Sequence, residues 1–318
     1  VFRNPDIADT LERIAKDGDA GFYQGEFAKK LVDGVRAAGG NWTLADLENY
    51  QVKERAPIAF DYRPPGKPAY HIVSASPPSS GGIVLQEMLN ILSGFDLDKM
   101  DRAQRVHTIV EAMRRGYRDR TQYLGDPDFV QMPLAKLASM DYADKLRESI
   151  EPDRATPSSA LPGADVKPES MHTTHFSVMD ADGNMVAGTQ TVNTEFGSCL
   201  VIPGTGFVLN NEMDDFALVP GKPNVYGLLG SAANAPEGGK RMLSSMSPSL
   251  VIGEQRSAVI GSPGGSTIIT QVLEGILHFI DGESAQQIVA HKRFHHQFLP
   301  DVVDVEPGTF DAATSADL

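Results

Sequence analysis

The stretch Thr173–Asn193 reads TTHFSVMDADGNMVAGTQTVN, two segments of alternating apolar and polar residues separated by a short Asp/Gly-rich turn. This pattern predicts a β-hairpin. A three-residue loop at Asp182–Asn184 would pair residue 181 with 185, and would set 173 opposite 193 and 175 opposite 191. A two-residue Asp-Gly turn would shift the register by one residue and turn Thr191 and Asn193 to the other face.

Helical and strand patterns continue on both sides of this hairpin and predict an α+β fold. Residues 6–39 predict two capped helices, 41–54 a short third one, and 57–82 two strands, before apolar residues recur at helical spacing from Leu85 onward. After the hairpin, GFVLNN, SLVIG and SAVIGS have strand character, whereas STIITQVLEGILHFI and SAQQIVAHKRFHH have helical character.

Residues 151–172 are rich in Pro, Ser, Ala and Asp and lack periodicity, which predicts an exposed, poorly ordered linker. The linker divides the chain into residues 1–172 and 173–318.

Composition excludes several classes of function. The chain has 318 residues, of which 28 are basic and 42 acidic, and its formal charge of −14 disfavours binding to nucleic acid. No apolar run is long enough for a transmembrane helix. A single cysteine, Cys199, rules out an intramolecular disulfide or a cysteine-rich metal site, and we expect it to be buried on a strand.

Three other features have ordinary explanations. His291 and His295 are four residues apart on a predicted helix, but Lys292 stands where a metalloprotease motif needs Glu, so we expect no metal site. GSPGGS at 261–266 lacks the Gly-Lys-Ser/Thr ending of a nucleotide-binding loop. Asp214 and Asp215 would form a solvated turn in most proteins.

Thr173 has a more distinctive position, because it follows the predicted linker and begins the hairpin. A threonine hydroxyl becomes an effective nucleophile when its own α-amino group acts as the base. That amine titrates near pH 8, so part of it is neutral at pH 7. Cleavage before Thr173 would create such an N-terminus, although TTHFSV is equally an ordinary strand.

The hairpin sequence is one of several motifs that resemble, in order and spacing, those of gamma-glutamyltranspeptidases. The others are PPSSGG, LNNEMDDF, PGKPNVYGLLG, LSSMSPS, GSPGGSTIIT and RFHHQFLPD. The resemblance implies a four-layer αββα sandwich of the N-terminal-nucleophile hydrolase type. It also implies self-cleavage between His172 and Thr173 into a large and a small subunit that stay associated.

The resemblance also implies a role for each site residue. Thr173 would attack the γ-glutamyl carbonyl of glutathione and form an ester that water or an acceptor amine resolves. The roles implied for the other residues are as follows: Gly264 and Gly265 form the oxyanion hole, Thr191 hydrogen-bonds near the nucleophile with Thr189 behind it, Glu212 and Asp215 bind the substrate ammonium, Ser244 and Ser245 bind its carboxylate with help from Asn193, and Tyr226 gates a mobile lid. These roles need the register that keeps Thr191 and Asn193 on the face of Thr173.

The chain departs from the family pattern in three ways. It lacks the front of the large subunit, so no residue can be assigned to the arginine that pairs with the substrate carboxylate, and it ends before the final small-subunit strands. Glu195 and Cys199 stand where small or neutral residues are more common in the family. We therefore expect a fragment of a longer protein.

Two other functions remain open: an acylase for glutaryl or cephalosporin-type amides on the same fold, and a non-catalytic relative. For the leading hypothesis we expect a small γ-glutamyl substrate, water or an amino acid or peptide acceptor, no cofactor and no metal. Bacterial members of the family imply a periplasmic or secreted location.

Overall fold

The structure is a computed structural model that describes residues 3–161, 173–219, 221–222 and 224–318. The chain divides into two compact units. The smaller unit contains the residues up to Arg55 together with Val192–Asn211, and the larger contains Ala56–Thr191 and Glu212–Leu318. These units do not follow the predicted division at Thr173, and the union of both parts in one domain stays a prediction.

The smaller unit is mainly helical and contains α1 (Pro5–Asp17), α2 (Ala20–Tyr23), α3 (Gly25–Ala37) and α4 (Leu44–Glu48). The helices predicted within residues 6–39 correspond to α1 and α3, and α2 lies between them. Buried apolar residues of this unit are Phe27, Ala28, Leu31, Val32, Val35, Leu47 and Ile202. Because five of these lie on α3, its apolar face forms most of the core of the unit.

The segment Val192–Asn211 differs from its predicted form. GFVLNN was expected to be a strand, but Val208 forms only an isolated bridge with Val201. The segment is held by side chains of the first helix instead, since Thr10 Oγ1 donates to the carbonyl of Thr205 at 2.9 Å. The prediction of a buried Cys199 on a strand was also wrong: this residue is exposed in a turn with φ +58°.

The larger unit holds the strands of the described chain. They are β1 (Ile58–Tyr62), β2 (Tyr70–Ser74), β3 (Thr174–Met179), β4 (Met185–Gln190), β5 (Ser249–Ile252), β6 (Ser257–Ile260), β7 (Phe294–His295) and β8 (Asp304–Val305). An antiparallel sheet has the order β1-β2-β5-β6, while β3 pairs with β4 and β7 with β8. The strands predicted in 57–82, 249–253 and 257–262 are confirmed.

Helices cover this sheet and supply most of its core. They are α5 (Gly81–Leu92), α6 (Arg102–Tyr123), α7 (Leu134–Leu137), α8 (Met140–Glu148), α9 (Ile268–Ile280), α10 (Ala285–Ala290) and α11 (Ala312–Asp317). Helices α5 and α9 are buried on nearly all sides and pack on one another, as expected of helices that are apolar around their whole circumference. No helix in the described ranges is long and apolar enough to cross a membrane.

The hairpin β3–β4 confirms a three-residue loop but corrects its position. Thr174 pairs with Gln190 and Met179 with Met185, so the loop is 181–183 and residue 173 lies opposite 191, not 193. Gly183 adopts φ +85°, a conformation that glycine tolerates best, and it therefore takes the last loop position. Asp180 accepts N–H bonds from Asp182 and Asn184 and stabilises this turn. The two-residue change preserves the side-chain face that the family roles need.

Two further expectations concern the linker and the last long helix. Residues 162–172 lie outside the described part of the chain, and residues 151–161 are mostly exposed, except that Ser158 is buried against Arg114. The helix predicted through His296 ends at Ala290 because Phe294 pairs with Val305 in a short antiparallel ladder.

Candidate active site

Thr173 lies at the edge of the hairpin, immediately before β3, and Thr191 lies immediately after β4. The register sets them opposite each other, and Thr173 Oγ1 donates to Thr191 Oγ1 at 3.3 Å. A hydroxyl held in this way is fixed in direction, as a nucleophile must be. The bond before Thr173 reaches into His172, which lies outside the described residues.

The next residue on the same face is His175, whose Nδ1 is 2.7 Å from Thr189 Oγ1. Its Nε2 is 3.1 Å from Ser177 Oγ. Burial lowers the pKa of His175, so the ring is neutral at pH 7. Thr189 thus lies two residues before Thr191 on the same face, and it orients an imidazole.

The hairpin packs beside β6 in an antiparallel direction. Ser177 Oγ donates to the carbonyl of Val259 at 3.1 Å, and the ring of His175 lies against Gly261, where an added Cβ would be 2.0 Å from the imidazole. Ser177 therefore lies beside Val259 and His175 beside Gly261, so the residue number falls along β3 as it rises along the neighbouring chain. We infer that the same progression brings Thr173 alongside Pro263, directly before the Gly264-Gly265 pair.

This glycine pair has a conformation that other residues rarely adopt, with φ +139° at Gly264 and +54° at Gly265. Gly265 begins a 3-10 turn, Gly265–Thr267, that leads into α9, so its N–H has no partner within the helix. An added Cβ at Gly265 would lie 2.5 Å from the ring of Tyr226. The pair therefore offers backbone N–H donors at a helix start, which suits a developing oxyanion.

Glu212 and Asp215 occupy the first and last positions of one 3-10 turn, Glu212–Asp215. In a 3-10 helix, residues three apart lie on the same side. Burial raises the pKa of Glu212 to about 7. Burial, followed by the charge of Glu212, raises the pKa of Asp215 to about 8. The two carboxyls therefore hold a proton near neutral pH that a bound cation would displace.

Ser244 and Ser245 are held by a buried arginine on α6. Arg120 is 4% exposed, and it donates through Nε to Ser80 Oγ at 2.9 Å and through Nη2 to Ser245 Oγ at 3.0 Å. Ser80 Oγ in turn donates to the carbonyl of Ser244 at 2.7 Å. The Arg120 charge also acts on Asp215, whose pKa it lowers against the larger effect of burial. The Ser80 and Ser245 hydroxyls thus contact one guanidinium, whose charge also acts on Asp215.

Helix α6 also contacts the glycine turn. One helical turn before Arg120, the hydroxyl of Tyr117 donates to the carbonyl of Ser266, the residue after Gly265. The same helix therefore positions both the serine segment and the glycine turn.

The family model described as gamma-glutamyltranspeptidase matches residues 1–318. The chain belongs to the gamma-glutamyltranspeptidase family.

Named relatives of this gamma-glutamyltranspeptidase family member include two bacterial proteins. This chain is 47% identical over 305 residues to the glutathione hydrolase proenzyme of Pseudomonas sp. strain A14, and 45% identical over 307 residues to that of Escherichia coli strain K12. Each comparison covers 95% of this chain and 52% of the relative. The chain thus spans about half the length of these curated relatives.

Among solved structures, the cephalosporin acylase of Bacillus halodurans matches with a TM-score of 0.77 and 27% identity. The match covers 99% of this chain and 54% of that protein. The likeness supports the α+β class, and the four-layer arrangement stays a prediction.

Two more residues have roles implied by the gamma-glutamyltranspeptidase resemblance. Asn193 belongs to the smaller unit, where it is buried with φ +76° and donates through Nδ2 to the carbonyl of Asn211 at 3.1 Å. Tyr226 is 4% exposed, and its carbonyl accepts from Gln297 Nε2 at 3.1 Å. Its role as a lid stays a prediction.

The other residues singled out in the sequence, His291, His295 and Asp214, have separate partners. His295 is buried between Thr270 and Gln297, with ring nitrogens 2.8 and 2.9 Å from their side chains, whereas His291 follows α10 and faces Glu283. Asp214 accepts the N–H of Val225 at 2.8 Å, so it fixes the chain before Tyr226.

Sequence reasoning missed two polar residues at this site, His175 and Arg120. His175 lies within the hairpin sequence, and strand alternation could have predicted that it shares a face with Thr173. Arg120 lies on a charged helix, and nothing in its sequence spacing indicates that it is buried beside Ser245.

Proposed function

We propose that this chain carries the active site of a γ-glutamyl hydrolase and transferase that acts on glutathione and related γ-glutamyl amides. The observation that supports this most is the hydrogen bond of Thr173 Oγ1 to Thr191 Oγ1 at the open end of the β3–β4 hairpin. The relatives named glutathione hydrolase proenzyme support the substrate class.

Maturation begins with attack of the Thr173 hydroxyl on the carbonyl of His172. The peptide C–N bond breaks as a C–O ester forms, and the nitrogen becomes the α-amine of Thr173. Water hydrolyses the ester and leaves a large subunit that ends at His172 and a small subunit that begins at Thr173. The word proenzyme in the relatives' names agrees with this order of events.

In turnover the neutral α-amine of Thr173 takes the proton of its own hydroxyl, and the oxygen attacks the γ-glutamyl carbonyl. The N–H groups of Gly264 and Gly265 stabilise the negative charge on the tetrahedral intermediate. Its C–N bond breaks, the departing amine takes the proton, and a γ-glutamyl ester remains on Thr173. Water releases glutamate, whereas an amino acid or peptide amine gives transpeptidation.

The α-amino acid end of the substrate accounts for the acidic and hydroxyl groups. Its ammonium binds Glu212 and Asp215, and its carboxylate accepts bonds from Ser244 and Ser245, with Asn193 assigned to the same end by family resemblance. Arg120 keeps Ser245 in place at 3.0 Å and adds positive charge behind the carboxylate. An ammonium between two half-buried carboxyls is a charge-assisted contact that a neutral substrate cannot make.

The larger assembly is part of the same proposal. The two subunits from one precursor form a four-layer αββα sandwich that needs no cofactor, and the enzyme works in the periplasm or outside the cell.

A second candidate function is an acylase for glutaryl or cephalosporin-type amides. The match to the Bacillus halodurans acylase over 99% of this chain favours it. A glutaryl group lacks the α-ammonium, so it would leave Glu212 and Asp215 without a cation, and for this reason the γ-glutamyl substrate is preferred. Release of product from a γ-glutamyl anilide, compared with a glutaryl amide, separates the two functions.

The experiment that tests the proposal follows the full-length protein. Its intact mass and N-terminal sequences should give a fragment that begins Thr-Thr-His-Phe. We expect Thr173→Ala to remain uncleaved and to lose hydrolysis of a γ-glutamyl anilide completely, because one hydroxyl performs both reactions. Thr174→Ala, on the neighbouring residue, is the matched control and should be cleaved and active. Cleavage or turnover in Thr173→Ala would disprove the role of Thr173, and a wild-type chain that is never cut would indicate the non-catalytic relative.

A further inference from the structure

Three metal-binding side chains converge away from the candidate active site, between the end of α9 and the residue after α10. His278 lies in the last turn of α9, Glu283 in the connection, and His291 directly after α10. Glu283 Oε1 is 3.0 Å from His278 Nδ1, and Oε2 is 2.6 Å from His291 Nε2. Each imidazole therefore contacts one oxygen of the same carboxylate.

The two imidazole rings lie face to face. They stack with centroids 3.8 Å apart and planes only 7° from parallel. One nitrogen of each ring and one oxygen of Glu283 all lie within 4.8 Å of one another. Zinc–nitrogen bonds of about 2.0–2.1 Å in a tetrahedral site place ligand atoms roughly 3.4 Å apart, a spacing these atoms can reach once the two rings turn out of the stack to point at one ion.

Access and donor chemistry agree with this geometry. The side chains of His278, Glu283 and His291 are 27%, 23% and 41% exposed, so an ion can enter and keep water in an open position. His278 and His291 also line a cavity of about 650 Å³ between β6 and the two helices. Two imidazoles with one carboxylate suit zinc and its neighbours, whereas magnesium and calcium prefer oxygen ligands alone.

We propose that His278, Glu283 and His291 form a binding site for a single zinc ion or a similar divalent transition metal. The ion would join the end of α9 to the chain beyond α10. None of these residues belongs to the candidate active site, so the proposal does not depend on the proposed reaction.

The test measures zinc retained by the metal-stripped full-length protein after incubation with zinc chloride and dialysis, and its affinity by titration calorimetry. The variants are Glu283→Gln and His291→Gln. The matched control is His71→Gln, which removes an exposed imidazole that lies 3.0 Å from a single carboxylate, Asp61. Circular dichroism checks that each variant is folded, and X-ray absorption spectroscopy counts imidazole ligands.

We expect wild type and His71→Gln to bind zinc at this site with two imidazole ligands, and magnesium chloride not to compete. Each site variant should bind zinc at least roughly tenfold more weakly, because loss of even an outer-shell partner costs 10- to 100-fold. Absence of saturable binding, or folded site variants that bind as wild type does, would overturn the proposal. If His291→Gln does not fold, the absorption spectrum of the wild-type complex still decides, since fewer than two imidazoles contradict the site.

Discussion

Two groups of carboxyls in the larger unit behave in opposite ways. On α6, burial alone would raise the pKa of Glu111, but hydrogen bonds from Thr156 and Arg115 outweigh it and lower the pKa. Burial also opposes ionisation of Asp301, yet bonds from Arg114 and Ser158 bring its pKa to about 2. Each of these carboxylates is already ion-paired with an arginine, Glu111 with Arg115 and Asp301 with Arg114.

The turn Glu212–Asp215 is the contrasting case. Its carboxyls are also partly buried, but their pKa values rise to about 7 and about 8, because Arg120 only partly offsets burial and mutual repulsion. An acid that is ion-paired with its own arginine is structural, whereas a half-buried acidic pair that retains a proton can accept a cationic ligand.

The largest expected effect is on the structural group. Glu111 accepts from Arg115 Nη1 at 2.5 Å and from Arg114 Nε at 3.2 Å, and all three side chains are almost fully buried. We expect Glu111→Gln to lower the free energy of unfolding by about 3 kcal/mol, since it leaves a buried guanidinium without its counter-charge. Urea denaturation of the full-length protein measures the change.

The control for this substitution is Asp61→Asn, which removes an exposed carboxylate 3.2 Å from Arg63. Its effect should stay within about 0.5 kcal/mol, as for other surface ion pairs. Equal effects of the two substitutions would remove the distinction between structural and exposed carboxylates.

A smaller effect, on binding instead of stability, is expected at the acidic turn. Asp215→Asn should lower kcat/KM for a γ-glutamyl anilide roughly thirtyfold, because a charge-assisted bond to the ammonium contributes about 2 kcal/mol. Maturation should be unchanged and the thermal midpoint should not fall, since burial and the charge of Glu212 outweigh the stabilising charge of Arg120 at this carboxyl. Asp214→Asn, on the same turn, should affect kcat/KM far less, and unchanged kinetics in Asp215→Asn would exclude it from ammonium binding.

The smallest effect concerns the pH dependence of stability. Asp215 binds a proton more tightly when folded than unfolded, so its contribution declines as pH rises from about 4 through about 8. Asp301 has the opposite sign, and its contribution is lost only as pH falls through about 2. We expect the decline between pH 4 and 8 to be shallower in Asp215→Asn, and an identical slope would contradict the raised pKa.

Sequence reasoning predicted most of the local structure, because hydrophobic period and caps are local signals. The register was wrong by two residues because the loop position depends on Gly183 φ and on Asp180 side-chain bonds, which composition does not specify. The candidate site residues were assigned from family resemblance. The structure places three of them, Thr173, Thr189 and Thr191, on one face of the hairpin.

The parts that could not be predicted depend on contacts between distant segments. Arg120 and Ser245 are 125 residues apart in the chain, and nothing local indicates their hydrogen bond. In the same way, His291 was compared with His295 at helical spacing, whereas its carboxylate partner is Glu283, eight residues earlier. Burial of polar side chains is decided by tertiary packing.

Helix α6 has a consequence for how this protein can vary in length. Tyr117 holds the carbonyl of Ser266 and Arg120 holds Ser245, and these two anchors are one helical turn apart, about 4.5 Å along the axis. A single inserted or deleted residue between them would rotate one anchor by about 100° relative to the other. The number of residues between Tyr117 and Arg120 is therefore fixed by the positions of the two segments that they hold.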